Sequence, residues 1–241
     1  MKTLVIVKLG STFPELAAQR GDFEDWVAEG LGPLSLPIQT IEPGRGDPLP
    51  DYGDLAGVVL TGSHAMVTDR HPWSERTAEW LVGLLDRAIP VLGICYGHQL
   101  LAHGLGSAVV DNPRGEEVGT LPVYLTSQGK KDPLFSGLPN PFLAQISHTQ
   151  SVLELPRDAV LLAYSEQEPH HAFRVGRCAW GVQFHPEFDP GIQLAYIRYN
   201  SQKLRAAGLD PDRLAQEVRP TPEAAALLRR FGCLCVLYQG G

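Results

Sequence analysis

Residues 89–99 read Ile89-Pro90-Val91-Leu92-Gly93-Ile94-Cys95-Tyr96-Gly97-His98-Gln99, and this junction decides the fold. An apolar run that turns abruptly into an amphipathic stretch, with a glycine two residues on each side of the turn residue, is the layout of a nucleophile elbow. Glycine fits both flanking positions because the turn residue is strained and its neighbours pass close to other backbone. We therefore predict Cys95 at the turn, where the start of the next helix favours a thiolate. Taken alone, the segment also fits a buried cysteine at an ordinary strand-to-helix junction.

A second motif lies further along the chain, where residues 180–187 read Trp180-Gly181-Val182-Gln183-Phe184-His185-Pro186-Glu187. In an extended segment His185 and Glu187 project to the same side, because side-chain direction repeats every two residues. Pro186 biases His185 toward extended backbone. A carboxylate beside an imidazole orients the ring and stabilises its protonated form. The two motifs predict a catalytic set in which Cys95 is the nucleophile, His185 the base and Glu187 the residue that orients the base.

The rest of the chain alternates apolar strands with amphipathic helices, which predicts an α/β fold of three layers with a mostly parallel central sheet and flanking helices. Functional sites in such sheets lie beyond the carboxyl ends of the strands, where both Gly62 and Cys95 are expected. Predicted strands cover residues 3–9, 38–41, 57–60, 121–126, 143–147, 160–164 and 179–184, some of them antiparallel, and predicted helices cover residues 22–31 and 74–88.

The pattern becomes helical after residue 190. Helices are predicted over residues 192–206, 211–218 and 222–231. The second and third start with Asp210-Pro211 and Thr221-Pro222, which place an N-cap side chain before a proline at the first helical position. We therefore predict an α/β domain over residues 1–191 and a helical extension over residues 192–241 packed on it. The apolar ending Gly232–Tyr238 is expected to form an edge strand or to mediate a contact.

The charge of the chain restricts its partners. A formal net charge of −7 over 241 residues argues against binding to nucleic acid or to anionic membranes, which attract basic surfaces. The sequence contains no run of the roughly 20 apolar residues that a membrane helix needs. Residues 1–8 are predicted as a first strand rather than a signal peptide. Four cysteines without a disulfide framework suit reduced thiols, so a cytoplasmic location is expected.

Residues with metal-binding side chains are scattered along the chain. Cys233 and Cys235 lack a second ligand pair at zinc-like spacing. Residues 168–171, which include Glu168, His170 and His171, are expected to be solvent-exposed, because adjacent histidines in an extended segment point to opposite faces. Glu117 is interpreted either as a site residue or as an exposed structural carboxylate. We expect no metal and no cofactor.

The two motifs, G-I-C-Y-G-H-Q and G-V-Q-F-H-P-E, closely resemble those of the class I glutamine amidotransferase family, the triad-type glutaminase domains. Segments 112–119 and 147–152 lie between the motifs and resemble further landmarks of that family. The resemblance extends from about Leu55 to about Phe188, and the chain is similar to a stand-alone member that resembles the glutaminase domain of GMP synthase. Several motifs in the correct order are much more specific than one short motif.

The resemblance implies that the chain cleaves the side-chain amide of glutamine. The Cys95 thiolate would attack the amide carbon and form a γ-glutamyl thioester with release of ammonia. His185 would transfer protons and Glu187 would hold His185 in place. The oxyanion is expected at the backbone N–H groups of Gly62 and Tyr96. The residues that match the glutamine-binding positions of the family are Gln99, Ser147, His148 and Thr149.

Two loops depart from the family pattern. Residues 61–64 read T-G-S-H where many members have G-G-P, which affects the placement of Gly62. Residues 147–150 read S-H-T-Q, whereas synthetases that make guanosine monophosphate typically have S-H-G-D. The absence of that glycine and acidic residue affects the recognition of free glutamine, but it leaves the catalytic set unchanged.

Three functions remain open from the sequence. The chain has no G-x-x-x-x-G-K-[ST] phosphate loop, and the roughly fifty residues after the glutaminase-like part are too few for a second catalytic domain. The first function is an amidotransferase subunit that supplies ammonia to a separate synthase partner, and the second is a stand-alone hydrolase of γ-glutamyl compounds. The third is a non-catalytic sensor or scaffold that binds glutamine-like ligands, which the intact catalytic set argues against.

Overall fold

The computed structural model describes residues 2–238 and contains a nine-stranded sheet with helices on both faces. The strands are β1 (Thr3–Val7), β2 (Ile38–Ile41), β3 (Leu55–Leu60), β4 (Val91–Ile94), β5 (Val109–Asp111), β6 (Glu117–Leu125), β7 (Phe142–His148), β8 (Gln150–Val152), β9 (Val160–Tyr164), β10 (Ala172–Val175) and β11 (Ala179–Val182). The helices are α1 (Pro14–Arg20), α2 (Phe23–Leu31), α3 (Pro72–Asp86), α4 (Tyr96–Gly104), α5 (Pro190–Tyr199), α6 (Ser201–Ala206), α7 (Pro211–Glu217) and α8 (Pro222–Leu237). Within residues 2–238, no helix has the length and apolar character needed to cross a membrane.

The strand order of the large sheet is β2-β1-β3-β4-β11-β10-β9-β6-β7. The first five strands run parallel to one another. The last four extend the sheet with antiparallel neighbours, and β5 pairs with β8 in a separate small sheet. This arrangement confirms the predicted α/β fold. It also brings the carboxyl ends of β3 and β4 together with the segment that follows β11.

The alternation of side chains along β1 explains the three layers. Leu4 and Ile6 belong to a core that also contains residues of α2 and α8, while Val5 and Val7 belong to a second core with residues of α3 and α4. Successive side chains of a strand point to opposite faces, so a strand that is apolar at every position needs a helical layer on each side. β1, β3 and β4 therefore lie inside the molecule, and their carboxyl ends are held rigidly.

Helix boundaries follow the capping residues closely. Asp22 caps α2 and forms a reciprocal pair of hydrogen bonds with Asp25, and the Asp189 side chain accepts from the N–H of Ile192 at the start of α5. The helix predicted over residues 192–206 is two helices, α5 and α6, that meet at Asn200. There the Asn200 side chain donates to the Tyr196 carbonyl oxygen at 3.0 Å, a local bond that competes with the helical pattern.

The predicted edge strand at Gly232–Tyr238 is wrong, because α8 continues to Leu237. Leu228, Phe231 and Cys235 recur at helical spacing and are fully buried against the sheet and α2. The apolar character of this ending therefore comes from a buried helix face. The boundary predicted after residue 191 stays a prediction, and residues 239–241 of the predicted extension lie outside the described part.

Candidate active site

Cys95 occupies a sharp turn between β4 and α4. Its backbone has φ 50° and ψ −100°, in the region of positive φ that residues with a side chain rarely adopt. The flanking glycines are required by close packing, since a Cβ on Gly97 would lie 2.7 Å from the carbonyl oxygen of Leu60 and one on Gly93 would overlap the backbone of Gly97. The predicted nucleophile elbow is therefore present, with the thiol at the start of α4.

The segment after β11 brings an imidazole and a carboxylate to this thiol. His185 Nδ1 lies 2.7 Å from Glu187 Oε1, and both residues are buried. The Cys95 thiol and the His185 ring line the same pocket, and because Nδ1 faces Glu187, Nε2 is the nitrogen left for the sulfur. The ring also stacks on Phe188, with centroids 4.0 Å apart. The three residues thus meet in the order sulfur, imidazole, carboxylate.

The protonation of His185 depends on its two polar neighbours. Burial lowers the pKa of His185, but the charges and hydrogen bonds of Glu187 and Cys95 outweigh burial and raise this pKa to about 10. At neutral pH the ring is therefore an imidazolium between two groups that favour its positive charge. An imidazolium beside a thiol can supply a proton to a leaving group and keep the sulfur nucleophilic.

Gly62 and Tyr96 lie on two sides of this arrangement. Gly62 follows β3 and packs against the catalytic histidine candidate, since a Cβ there would lie 3.0 Å from His185 Cε1. Tyr96 is the first residue of α4, where backbone N–H groups have no partner within the helix. Thr61, which the sequence analysis did not single out, anchors the loop because its hydroxyl accepts from Leu9 N at 3.0 Å and donates to the Gly62 carbonyl at 2.9 Å.

Residues 147–150 form the opposite wall of the pocket. The carbonyl oxygen of Ser147 lies 3.9 Å from Cys95 Sγ, and Thr149 also faces the pocket. The Gln99 side chain supports this wall from below, because its amide nitrogen donates to the Gln150 carbonyl at 2.9 Å. The His148 ring contributes to the lining, but its two nitrogens are directed at the Gln150 carbonyl and at a buried carboxylate described below.

Comparison with known proteins identifies the family. The sequence model described as glutamine amidotransferase class-I matches residues 50–202. The chain belongs to this family. It is 32% identical over 191 residues to a GMP synthase (glutamine-hydrolyzing) of Thermosipho africanus, covering 78% of this chain and 33% of that protein. It is 35% identical over 186 residues to the corresponding protein of Aeropyrum pernix, covering 76% of this chain and 32% of that one.

The class I glutamine amidotransferase chain therefore spans about a third of the length of these curated relatives. Its fold is also similar along nearly the whole chain to a crystal structure of a glutamine amidotransferase from Thermotoga maritima. The TM-score is 0.73 at 23% identity, with 98% of this chain and 99% of that chain covered. The C-terminal helices are thus part of the shared fold. Family members are generally cysteine-dependent amidotransferases, which agrees with the cysteine at the elbow.

The C-terminal helices of this chain also line the pocket. Tyr196, Asn200 and Lys203 face it together with Cys95 and His185. Lys203 Nζ lies 3.0 Å from Glu116 Oε1 at the rim, where the lysine is half exposed. These three residues were not identified from the sequence, although their spacing of four and three positions puts polar groups on one face of a predicted helix. Polar side chains at this spacing are also typical of an ordinary solvent-exposed helix face.

The region behind residues 147–149 corrects two predictions. Glu168 and His171 are fully buried, so their expected exposure is wrong. Glu117 is 3% exposed, so of its two interpretations the exposed carboxylate is wrong. His171 immediately precedes β10, which lies between β9 and β11, and its side chain is in the protein interior. Burial raises the pKa of Glu117, yet His148 and His171 outweigh burial and hold this pKa far below its usual value.

Proposed function

We propose that this chain hydrolyses the side-chain amide of glutamine through a thioester on Cys95. The observation that carries the proposal is the placement of Cys95, at an elbow, in one pocket with His185, whose ring is held by Glu187. The Cys95 thiolate attacks the amide carbon, a C–S bond forms and the carbonyl electron pair moves onto oxygen. When this pair returns, the C–N bond breaks, and His185 protonates the nitrogen, which leaves as ammonia.

The second half of the reaction regenerates the thiolate. His185, now neutral, removes a proton from water while the water oxygen attacks the thioester carbon. The C–S bond breaks, glutamate leaves, and the proton stays on His185 as the partner of the thiolate. The raised pKa of His185 supports this cycle, because the ring is then protonated again at neutral pH once the thiolate has formed.

We assign the oxyanion to the backbone N–H groups of Tyr96 and Gly62. Tyr96 begins a nine-residue helix, whose N-terminus favours negative charge. Gly62 is held beside His185 by the Thr61 hydroxyl. Donors fixed in advance stabilise the developing charge without reorganising during the reaction.

The pocket supports an amino-acid-sized substrate. Its volume of about 280 Å³ lies at the lower end of the range for ligand sites. We propose that the backbone of Ser147, His148 and Thr149 borders the glutamine chain, with Gln99 as the support of that wall. The S-H-T-Q segment carries no acidic residue for the α-ammonium group, and Glu116 with Lys203 offers both charges that an α-amino acid needs. In this arrangement Glu116 accepts from the ammonium and Lys203 donates to the carboxylate.

The ammonia has two possible uses. We propose that it passes to a separate synthase, which is supported by the similarity of this chain to one third of GMP synthases whose names describe glutamine hydrolysis. The alternative is a stand-alone γ-glutamyl hydrolase, which the S-H-T-Q segment favours because it lacks the glycine and the acidic residue of the S-H-G-D pattern. We place either reaction in the cytoplasm, supported by four free thiols.

The test compares glutamine with several γ-glutamyl peptides as substrates of the purified chain. We expect the wild type to release ammonia from glutamine. Cys95→Ala should lower the rate of release by a factor of about 10⁴ or more, because it removes the nucleophile. Cys233→Ser is the matched control, since this thiol is exposed on α8. A glutamine-like electrophile should label Cys95 in the wild type and the control. Absence of both labelling and cleavage would favour the sensor, and fast cleavage of peptides alone would favour the γ-glutamyl hydrolase.

A further inference from the structure

Glu117, His148 and His171 form a buried cluster behind the pocket wall. Glu117 begins β6, His148 ends β7, and His171 immediately precedes β10. Glu117 Oε2 lies 3.0 Å from Nε2 of His148 and 3.0 Å from Nε2 of His171. The three atoms lie within 4.8 Å of one another. Two imidazoles and a carboxylate thus converge from three strands that are distant in sequence.

The contact of His171 with Glu117 lacks the geometry of a hydrogen bond. The two atoms are close enough, but the ring nitrogen has no hydrogen-bond partner among residues 2–238. In a hydrogen bond the N–H points at the acceptor, whereas two ligands of one metal ion direct their lone pairs at the ion, which lies off the line between them. Ligand atoms about 2.1 Å from an ion are about 3.0–3.4 Å apart. The contact between His171 Nε2 and Glu117 Oε2 has the separation, and the lack of N–H alignment, that two ligands of one metal ion have.

The other contacts of the cluster are those that metal ligands usually have. His148 Nδ1 lies 3.0 Å from the Gln150 carbonyl oxygen, to which it donates, so a neutral ring keeps its Nε2 lone pair for a cation. Ser165 Oγ donates to Glu117 Oε1 at 2.6 Å and leaves Oε2 for the same position. Ligating histidines and carboxylates commonly have such outer partners, which fix their orientation.

The position of His171 needs an explanation because both of its ring nitrogens are unpartnered within the described residues and the side chain is fully buried. Buried polar groups in folded proteins are normally satisfied by protein, water or an ion. A second proton on the His148 ring would let Nε2 donate a hydrogen bond to Glu117. It would leave the ring nitrogens of His171 without a partner. A single cation gives Nε2 of both histidines and Oε2 of Glu117 a common partner, and only His171 Nδ1 then stays without a hydrogen-bond partner among residues 2–238.

We propose that Glu117, His148 and His171 bind one divalent transition metal ion. Two imidazoles and one carboxylate are a donor set that suits zinc, with a further position for water. His148 also lines the pocket, which gives the ion a path of entry. An ion at this place connects β6, β7 and β10. It would hold His148 between Ser147 and Thr149 and so stiffen the pocket wall.

The experiment uses the full chain with Cys95→Ala, which removes a competing thiol ligand near His185. The protein is stripped with a chelator, titrated with zinc chloride against a chelating dye, and its metal content measured by elemental analysis. We expect one zinc per chain. His171→Gln should lower the affinity by at least about ten-fold, the scale of losing one contact of a metal site. His170→Gln is the matched control, because His170 Nδ1 contacts the Val152 carbonyl oxygen at 2.8 Å outside the cluster.

Two results would overturn the proposal: retention of no zinc by the Cys95→Ala protein, or equal affinity in the His171→Gln variant. If His171→Gln does not fold, X-ray absorption of the zinc-loaded Cys95→Ala protein decides the question without it. Two imidazoles and oxygen ligands support the site. Sulfur ligation would place the zinc on the remaining cysteines and contradict it. The glutaminase proposal is independent of all these outcomes.

Discussion

Residues 2–238 contain two buried histidine–carboxylate pairs, and these pairs differ in their third member. At His185 and Glu187 the nitrogen and oxygen are 2.7 Å apart, and the third group is the Cys95 thiol at the pocket floor. At His148 and Glu117 they are 3.0 Å apart, and the third group is the His171 ring in the interior. In the two proposals, a pair of the same kind polarises a nucleophile in one place and offers ligand atoms in the other. The neighbouring group and its access to the pocket decide which chemistry follows.

The largest expected effect comes from removing each carboxylate in turn. Glu187→Gln keeps the size of the side chain but removes the charge that holds the His185 imidazolium, so kcat should fall by about 10³–10⁴-fold. Glu117→Gln should lower kcat by less than about ten-fold and act mainly on stability, because its histidine does not contact the thiol. The comparison is measured by ammonia release and thermal unfolding. Equal losses of kcat in the two variants would contradict the inference that only the His185–Glu187 pair acts on the thiol.

The Glu187 variant also sharpens the comparison through pH. The folded-state pKa of His185, about 10, lies above the ordinary value of 6.5, so the pair stabilises the protein fully below pH 6.5 and loses this contribution as the pH rises to about 10. The difference in unfolding free energy between wild type and Glu187→Gln should be on the order of 2 kcal/mol near pH 6 and shrink toward pH 10. Glu217→Gln, which removes an exposed ion pair with Arg213, should show no such trend between those pH values. A difference that grows with pH would contradict the assignment.

A smaller effect is expected from Gly62→Ala. The added Cβ would lie 3.0 Å from His185 Cε1, so the ring must shift relative to the thiol and kcat/KM should fall by about 10²-fold. Gly53→Ala is the control, since nothing lies within 4 Å of a Cβ at that position. Rates are compared for variants whose thermal unfolding is unchanged. Full activity of Gly62→Ala would mean that His185 moves freely, unlike the packed ring of His171.

The smallest effect concerns the rim, where Glu116 lies next to Glu117 in sequence but faces the pocket. Lys203→Ala should raise KM for glutamine by about ten-fold with little change in kcat, because a charge that contacts only the α-carboxylate binds ground state and transition state alike. Lys131→Ala, away from the pocket lining, is the matched control. A decrease of kcat with unchanged KM would show that Lys203 acts on the reacting groups instead.

The sequence was most informative where the residues of a site lie close together along the chain. The elbow and the His185–Glu187 pair each lie within a few residues, and short-range backbone geometry determines which groups meet. His171 and Glu117 were misjudged because their burial results from the antiparallel strands added to the parallel core, a pairing that residue patterns do not specify. Lys203 was missed for a similar reason, since the direction of a polar helix face depends on tertiary packing. The buried ending of α8 differs from a strand only by its helical spacing.

The packing of α8 has a consequence for biosynthesis. Phe231 of α8 contacts Trp180 edge to face, and the same core includes Leu92 and Ile94 of the strand that leads to Cys95. A nascent chain still lacking α8 exposes that apolar surface and cannot yet brace the strand under its thiol. The proposed amide cleavage should therefore begin only after α8 has left the ribosome and packed on the sheet.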